Sequence, residues 1–155
     1  MAQSAKTTSL YERDFYAWTQ DQAEKLRVRA TFDNRGDIDW DHAAEEIESL
    51  GRSQRSEIRS RLLVILVHLL KWRHQSHRRS RSWKGTLIEQ RRRIEDEMAE
   101  SPSLSGYAES VLQREYETAR IKAAGETHLP EETFPDACPF TIDQILDPNF
   151  YPEAA

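Results

Sequence analysis

Residues 68–93, HLLKWRHQSHRRSRSWKGTLIEQRRR, crowd nine Lys or Arg, three His and two Trp into one stretch. Three kinds of chemistry use such residues. Dense cations bind phosphates, and a bare indole stacks on an unpaired base. Imidazoles joined by a carboxylate hold zinc or a related ion. A guanidinium set in an apolar stripe must be paired, because an unpaired buried charge is strongly destabilising.

For nucleic acid or another polyanion, the contacts would be Arg73, Arg78, Arg79, Arg81, Lys84, Arg92 and Arg93, with Trp72 and Trp83 framing the loop. Against this, both tryptophans fall at positions where a helix wants core residues. The flanking segments also carry counter-charge. Residues 1–51 hold six basic and eleven acidic side chains, residues 52–93 thirteen and two, and residues 94–155 three and fourteen. A folded chain that lays its acidic arms on the basic centre leaves little positive field for an outside ligand. That cancellation is the expectation.

For a metal, His68, His74 and His77 with a carboxylate such as Glu46 are the available donors. Their spacing is neither the i, i+4 pair of a helical zinc motif nor that of a zinc finger, so no metal and no cofactor is expected. His68 reads as a hydrogen-bonded core histidine, and His74 and His77 as a surface pair. No GxSxG elbow, phosphate-cradling glycine loop, HExxH or CxxC occurs, and Cys138 is the sole cysteine. No catalytic residue is therefore assigned; a hydrolytic site around Glu46 and His68 is the weakest of the readings. The remaining possibility is structural, a buried polar network of Glu46, His68 and Arg91 in which the Arg91 fork takes the Glu46 carboxylate.

The elements that would position these groups are helices. The chain has 155 residues, 37% hydrophobic and 32% charged, with five glycines and six prolines, which favours long polar-faced helices around one core. Ser9 and Glu12 suit a capping box, opening a first helix over about 10–30. Asp37 or Asp39 starts a second, with Trp40, Ala43, Ala44, Ile47 and Leu50 on one face and Gly51 as its exit. A third covers about 53–72 and is apolar on several sides, the mark of a central helix. Trp83, Leu87, Arg91, Ile94 and Met98 define a fourth, ending near Pro102. Ala108, Leu112, Tyr116, Ala119 and Ala123 define a fifth, stopped by Gly125. Beyond it, the proline-punctuated tail holds a possible turn at 129–134 and a capping box at Thr141 and Gln144. Phe134, Phe140, Ile142, Phe150 and Tyr151 should lie on the bundle. The expected architecture is all-α: residues 1–9 a disordered tail, residues 10–152 a single helical domain, and five main helices in one compact bundle.

The run LLVILVHLL at 62–70 is about half the roughly twenty apolar residues that span a membrane. The N-terminus shows no secretory apolar stretch. A bacterial cytoplasmic protein without a membrane contact is the expectation.

The segments LYERDFYAW, EEIESLGRSQRSEIRSRL, HLLKW, RRSRSWKGTLIEQRRRI, SPSL and LPEETFPDACPFTIDQILDPNF, in this order, resemble the bacterial domain-of-unknown-function family number twenty-nine across Leu10 to Pro152. The resemblance implies a small all-helical domain and supplies no activity. Ser76 and His77 stand where relatives commonly carry Pro and Glu, which weakens any metal site built on His77. Taken together, the expected function is a non-enzymatic interaction or regulatory module that binds a partner protein through its acidic arms or its basic loop. A nucleic-acid regulator using residues 73–93 is the alternative.

Overall fold

The computed structural model describes residues 8–33 and 35–155, and no strand occurs among them. The expected disordered tail falls, for residues 1–7, outside the described residues; Thr8 and Ser9 are exposed. The all-α expectation is met. Helices run over Leu10–Arg13 (α1), Phe15–Phe32 (α2), Trp40–His74 (α3), Arg81–Glu100 (α4), Tyr107–Thr127 (α5) and Ile142–Leu146 (α6). Single 3-10 turns sit at Ser76–Arg78, Pro102–Leu104 and Glu131–Thr133.

Helix boundaries depart from the sequence reading at three places. Asp14 breaks the first expected helix: its backbone is extended, and its carboxylate accepts from Ala17 N at 2.9 Å, so it starts α2 instead of continuing α1. Ser9 makes no side-chain cap bond. Gly51 does not end a helix. The two helices expected on either side of it are one of 35 residues, leaving four long helices instead of five. A Cβ at Gly51 would stand 2.5 Å from Thr19 Oγ1 and 3.2 Å from Tyr16, so the glycine serves the close approach of α2. Gly125 likewise lies inside α5, which runs on to a left-handed His128 at φ 58°. Pro130 then holds the chain off the helical path.

The chain falls into two compact units. One extends to Arg55 and includes Glu97–Ser105. Its centre is small and polar: Thr19, Ala23, Ala44, Gln54, Ser101 and Leu104 are buried. Ser101 Oγ accepts from Tyr16 N at 2.9 Å and donates to Gln54 Oε1 at 2.7 Å, and the Asp14 carboxylate also takes Ser103 N and Ser103 Oγ. These bonds satisfy polar groups that would otherwise destabilise a buried centre. Leu50, expected on an apolar face, is 49% exposed.

The other unit comprises Ser56–Asp96 and Gly106–Ala155 and has a conventional apolar core. Ile58, Leu62, Ile65, Leu66, Leu69 and Leu70 of α3 are fully buried, as are Leu87 and Ile94 of α4 and Tyr116, Ala119 and Ala123 of α5. Each such large side chain stabilises the fold by roughly 1.5–3 kcal/mol relative to exposure. The tail is fastened to α5 by side chains that reach its backbone. Tyr116 donates its hydroxyl to Pro135 O, Arg120 Nε donates to Phe134 O at 3.0 Å, and Gln113 holds Asp136 O and Cys138 N. The Thr141 and Gln144 capping box forms with both bonds present and opens α6, which buries Ile145.

Candidate functional site

α3 ends at His74 because Gln75 leaves helical geometry, and Gln75 Nε2 then donates to Thr127 O at 3.2 Å. A single exposed turn, Ser76–Arg78, follows, and Ser80 Oγ accepts Trp83 N at 3.2 Å to start α4. This connection places the basic residues along the turn and the first three turns of α4. At 100° per residue, Arg81, Lys84, Ile88 and Arg92 share the outward face of α4; Leu87, Gln90 and Ile94 lie away from it and are buried, and Arg91, also buried, is at its edge.

The expected cancellation by acidic flanks takes a different form. The C-terminal arm brings Glu126 to the cations of 68–93, its oxygen 3.9 Å from Lys71 Nζ, and Asp147 near enough to pull on Arg91. What the tail offers instead is carbonyl oxygen. Arg79 Nε donates to Trp72 O at 2.8 Å and its Nη2 to Pro152 O at 3.5 Å, with the guanidinium 5.1 Å from the centre of the Trp72 ring. Arg91 Nε donates to Ile145 O at 2.8 Å and its Nη2 to Phe150 O at 2.9 Å. A carbonyl satisfies a donor without carrying an opposing charge, so the positive charge stays.

Tyr151 is the centre of this arrangement, and sequence reasoning missed its role. Its ring packs on Trp72 at 4.9 Å, with Lys84 Nζ 5.3 Å and the Arg91 guanidinium 5.6 Å from its centre. Trp83 lies under Lys71 Nζ at 4.7 Å. Both indoles are thus engaged and half-buried, and neither is a free stacking platform. The only available signal was the cluster of aromatic residues near the chain's end.

The individual cations sort clearly. Arg93 is exposed and bonds Glu89 one turn back, at 3.0 and 3.2 Å. Arg73 is half-buried, and its carbonyl accepts Ala155 N at 3.1 Å. The side chains of Arg78, Arg81 and Arg92 are exposed and make no ion pair or hydrogen bond among the described residues, and that of Lys84 is exposed with the Tyr151 ring beneath it.

The expected buried network is corrected at Glu46. That carboxylate is exposed on α3 and cannot be a buried partner; the fork of Arg91 is taken by carbonyls. Arg91 itself is 4% exposed, and burial pushes its pKa down, against smaller upward pulls from Tyr151 and Asp147. His68 is half-buried, with Nδ1 2.8 Å from Val64 O, and burial lowers its pKa. His74 stands edge-on to Phe134 at 4.7 Å, so it is not the surface residue expected, whereas His77 is exposed. Among the described residues no group of three or more His, Cys, Asp or Glu is placed to hold a metal ion. The acidic face of α3 is partly closed by its own unit: Glu45 and Glu48 both pair with Arg27 and Arg52. No helix among the described residues is long and apolar enough to cross a membrane.

Among solved structures the chain is similar to the crystal structure of an alpha-helical protein of unknown function from Rhodospirillum rubrum ATCC 11170, with 25% identity, a TM-score of 0.72 and 93% of each chain covered. No curated protein matches. The model of the family described as Domain of unknown function DUF29 matches residues 10–151, most of the sequence, and the chain belongs to that family.

Proposed function

We propose that this chain is a non-enzymatic binding module whose working surface is the outward face of the Ser76–Arg78 turn and α4, and that it takes an acidic segment of a partner protein. The observation that carries this reading is the exposure of Arg78, Arg81, Lys84 and Arg92, none of them paired with a carboxylate among the described residues. Ile88, 38% exposed between Lys84 and Arg92, adds the apolar contact that protein partners use and phosphate backbones do not. The acidic face of α3 is a weaker candidate for contact, since Glu45 and Glu48 are already paired.

Nucleic acid is the competing reading, supported by the same cation density. Two features favour protein. Trp72 and Trp83 are half-buried and already engaged by Tyr151 and Lys71, which disfavours base stacking. The whole chain carries a net charge of -5, and screening acts over about 10 Å in ordinary salt. A short acidic segment meets only the local basic face, whereas a long polynucleotide continues past it toward acidic residues.

The test is fluorescence anisotropy with a labelled polyglutamate peptide and a labelled DNA duplex at low and moderate salt. The peptide should bind, weaken with salt, and lose at least about tenfold in affinity in the variant carrying Arg78→Glu, Arg81→Glu and Arg92→Glu. Duplex binding that is tighter and equally sensitive to the variant would install the nucleic-acid reading; binding of neither would remove both.

A further inference from the structure

Gly85 stands in the second turn of α4, exposed, and a Cβ built there meets nothing within 4 Å. Glycine inside a helix costs stability relative to alanine, because its backbone has more freedom to lose on folding. At Gly51 the reason for it is visible: the missing side chain lets α2 approach until a Cβ would stand 2.5 Å from Thr19 Oγ1. Gly85 leaves the same kind of gap with nothing in it. At 100° per residue it falls within about 60° of Arg81, Ile88 and Arg92, so the gap opens on the exposed basic face. Gly125 also has nothing within 4 Å, but it lies in the last turn of α5 near Lys122 and Glu126, where neither sign of charge prevails.

We infer that the partner element seated on this face is an amphipathic, acidic α-helix whose backbone passes close to Gly85. The inference rests on the basic-face reading above and specifies the partner's conformation. Charge complementarity sets the sign, since the side chains of Arg78, Arg81, Lys84 and Arg92 are exposed with no carboxylate paired to them among the described residues. Glu95, exposed one turn beyond Arg92, bounds the acidic stretch on that side. Arg81 to Arg92 span roughly 16 Å along the helix axis, so the partner's carboxylates are spread over about three turns. Between them an apolar side chain meets Ile88, which is 38% exposed.

The conformation follows from backbone chemistry. An extended segment draws its affinity from main-chain hydrogen bonds to a free sheet edge, and no strand occurs among the described residues. A helix satisfies its own backbone and binds through side chains and close approach. Packed helix axes lie about 8–10 Å apart, the separation being set by the side chains at the crossing, and a glycine there permits the shorter distance.

The experiment is fluorescence anisotropy on the full chain with three labelled probes. The first is polyglutamate, whose like charges keep it unfolded at neutral pH. The second is a capped alanine-based helix of about twenty residues, with a central leucine and glutamates on the same face one and two turns to either side. The third is that peptide with prolines flanking the leucine, which break the helix at equal charge. The intact helix should bind at least about tenfold more tightly than the broken one. Gly85→Gln adds a neutral side chain with good helix propensity at an exposed position, so Tm should not fall. It should nevertheless weaken the intact helix at least about tenfold by overpacking the crossing, and leave polyglutamate within about twofold. Gly125→Ala should change none of the three affinities.

Equal affinity for intact and broken peptides, or an intact helix indifferent to Gly85→Gln, overturns the helical partner. In either case, polyglutamate binding that is lost on reversing Arg78, Arg81 and Arg92 leaves the basic-face reading standing. Binding of no probe removes both.

Discussion

Replacing Arg91 with Met should loosen the tail by an amount the geometry allows one to work out. The guanidinium makes two charge-assisted bonds, at 2.8 Å to Ile145 O and 2.9 Å to Phe150 O, from a side chain 4% exposed. Methionine fills similar volume but donates nothing, so two carbonyls lose their partner at roughly 1–3 kcal/mol each where water cannot replace it. Against this, a buried cation and its open Nη1 are removed, and apolar burial improves by about 1 kcal/mol. The balance is a destabilisation of about 1–5 kcal/mol, less what removal of the buried charge returns. Two assays check it. Urea unfolding followed by tryptophan fluorescence should show a lower midpoint with an unchanged slope. Hydrogen exchange should show faster exchange at the amides from Ile145 to Phe150 than in α5. Glu46→Gln, at an exposed position, should move neither readout. A tail as protected in Arg91→Met as in the parent, or a Glu46→Gln protein as unstable as Arg91→Met, would refute the carbonyl anchor.

Two of the helical glycines, Gly51 and Gly125, predict opposite responses to alanine, read as shifts in Tm. Gly51→Ala should lower Tm, because the new Cβ meets Thr19 Oγ1 at 2.5 Å and such overpacking costs about 1–3 kcal/mol, more than the roughly 1 kcal/mol gained in helix propensity. Gly125→Ala, with nothing within 4 Å, should raise it. The histidines predict a pH dependence with a definite sign. His68 and His74 have folded pKa values below their ordinary 6.5 because burial opposes charge, so the unfolded chain binds more protons. Their contribution to stability is whole above 6.5 and is lost as pH falls from there toward the lower folded values. His42, raised by its bond to Asp39, works the other way: its contribution is present below 6.5 and is lost as pH rises through the folded pKa. Side-chain NMR titration should show both displacements, and a His68 that titrates above its ordinary value would contradict the burial argument.

The helical class and the buried faces were legible because they depend on residue identity at fixed spacing. Leu62, Ile65, Leu66 and Leu69, or Leu87 and Ile94, recur every three or four positions, and only a helix puts such residues on one side. The boundaries at Gly51 and Gly125 were not legible. A glycine that admits a neighbouring helix, one that merely sits in a helix, and one that ends a helix are the same letter; what separates them is the presence of Thr19 and Tyr16 in space. Asp14 was missed for a related reason, since its carboxylate is claimed by Ala17 N and by Ser103, far along the chain. At the site, Arg91 was identifiable as a polar residue in an apolar stripe. Its partners were not, because every residue has a carbonyl and no letter marks which one will accept. Looking for a carboxylate led to Glu46, which is exposed.

Fastening the tail through carbonyls of Ile145, Phe150 and Pro152 has a consequence for handling the protein as well as for its biology. Dissolved electrolyte weakens attraction between opposite ions far more than it weakens a bond to a neutral oxygen inside a dry interior. The fold is therefore expected to keep its shape at concentrations of sodium chloride that would release an acidic segment from the basic face in the function proposed above.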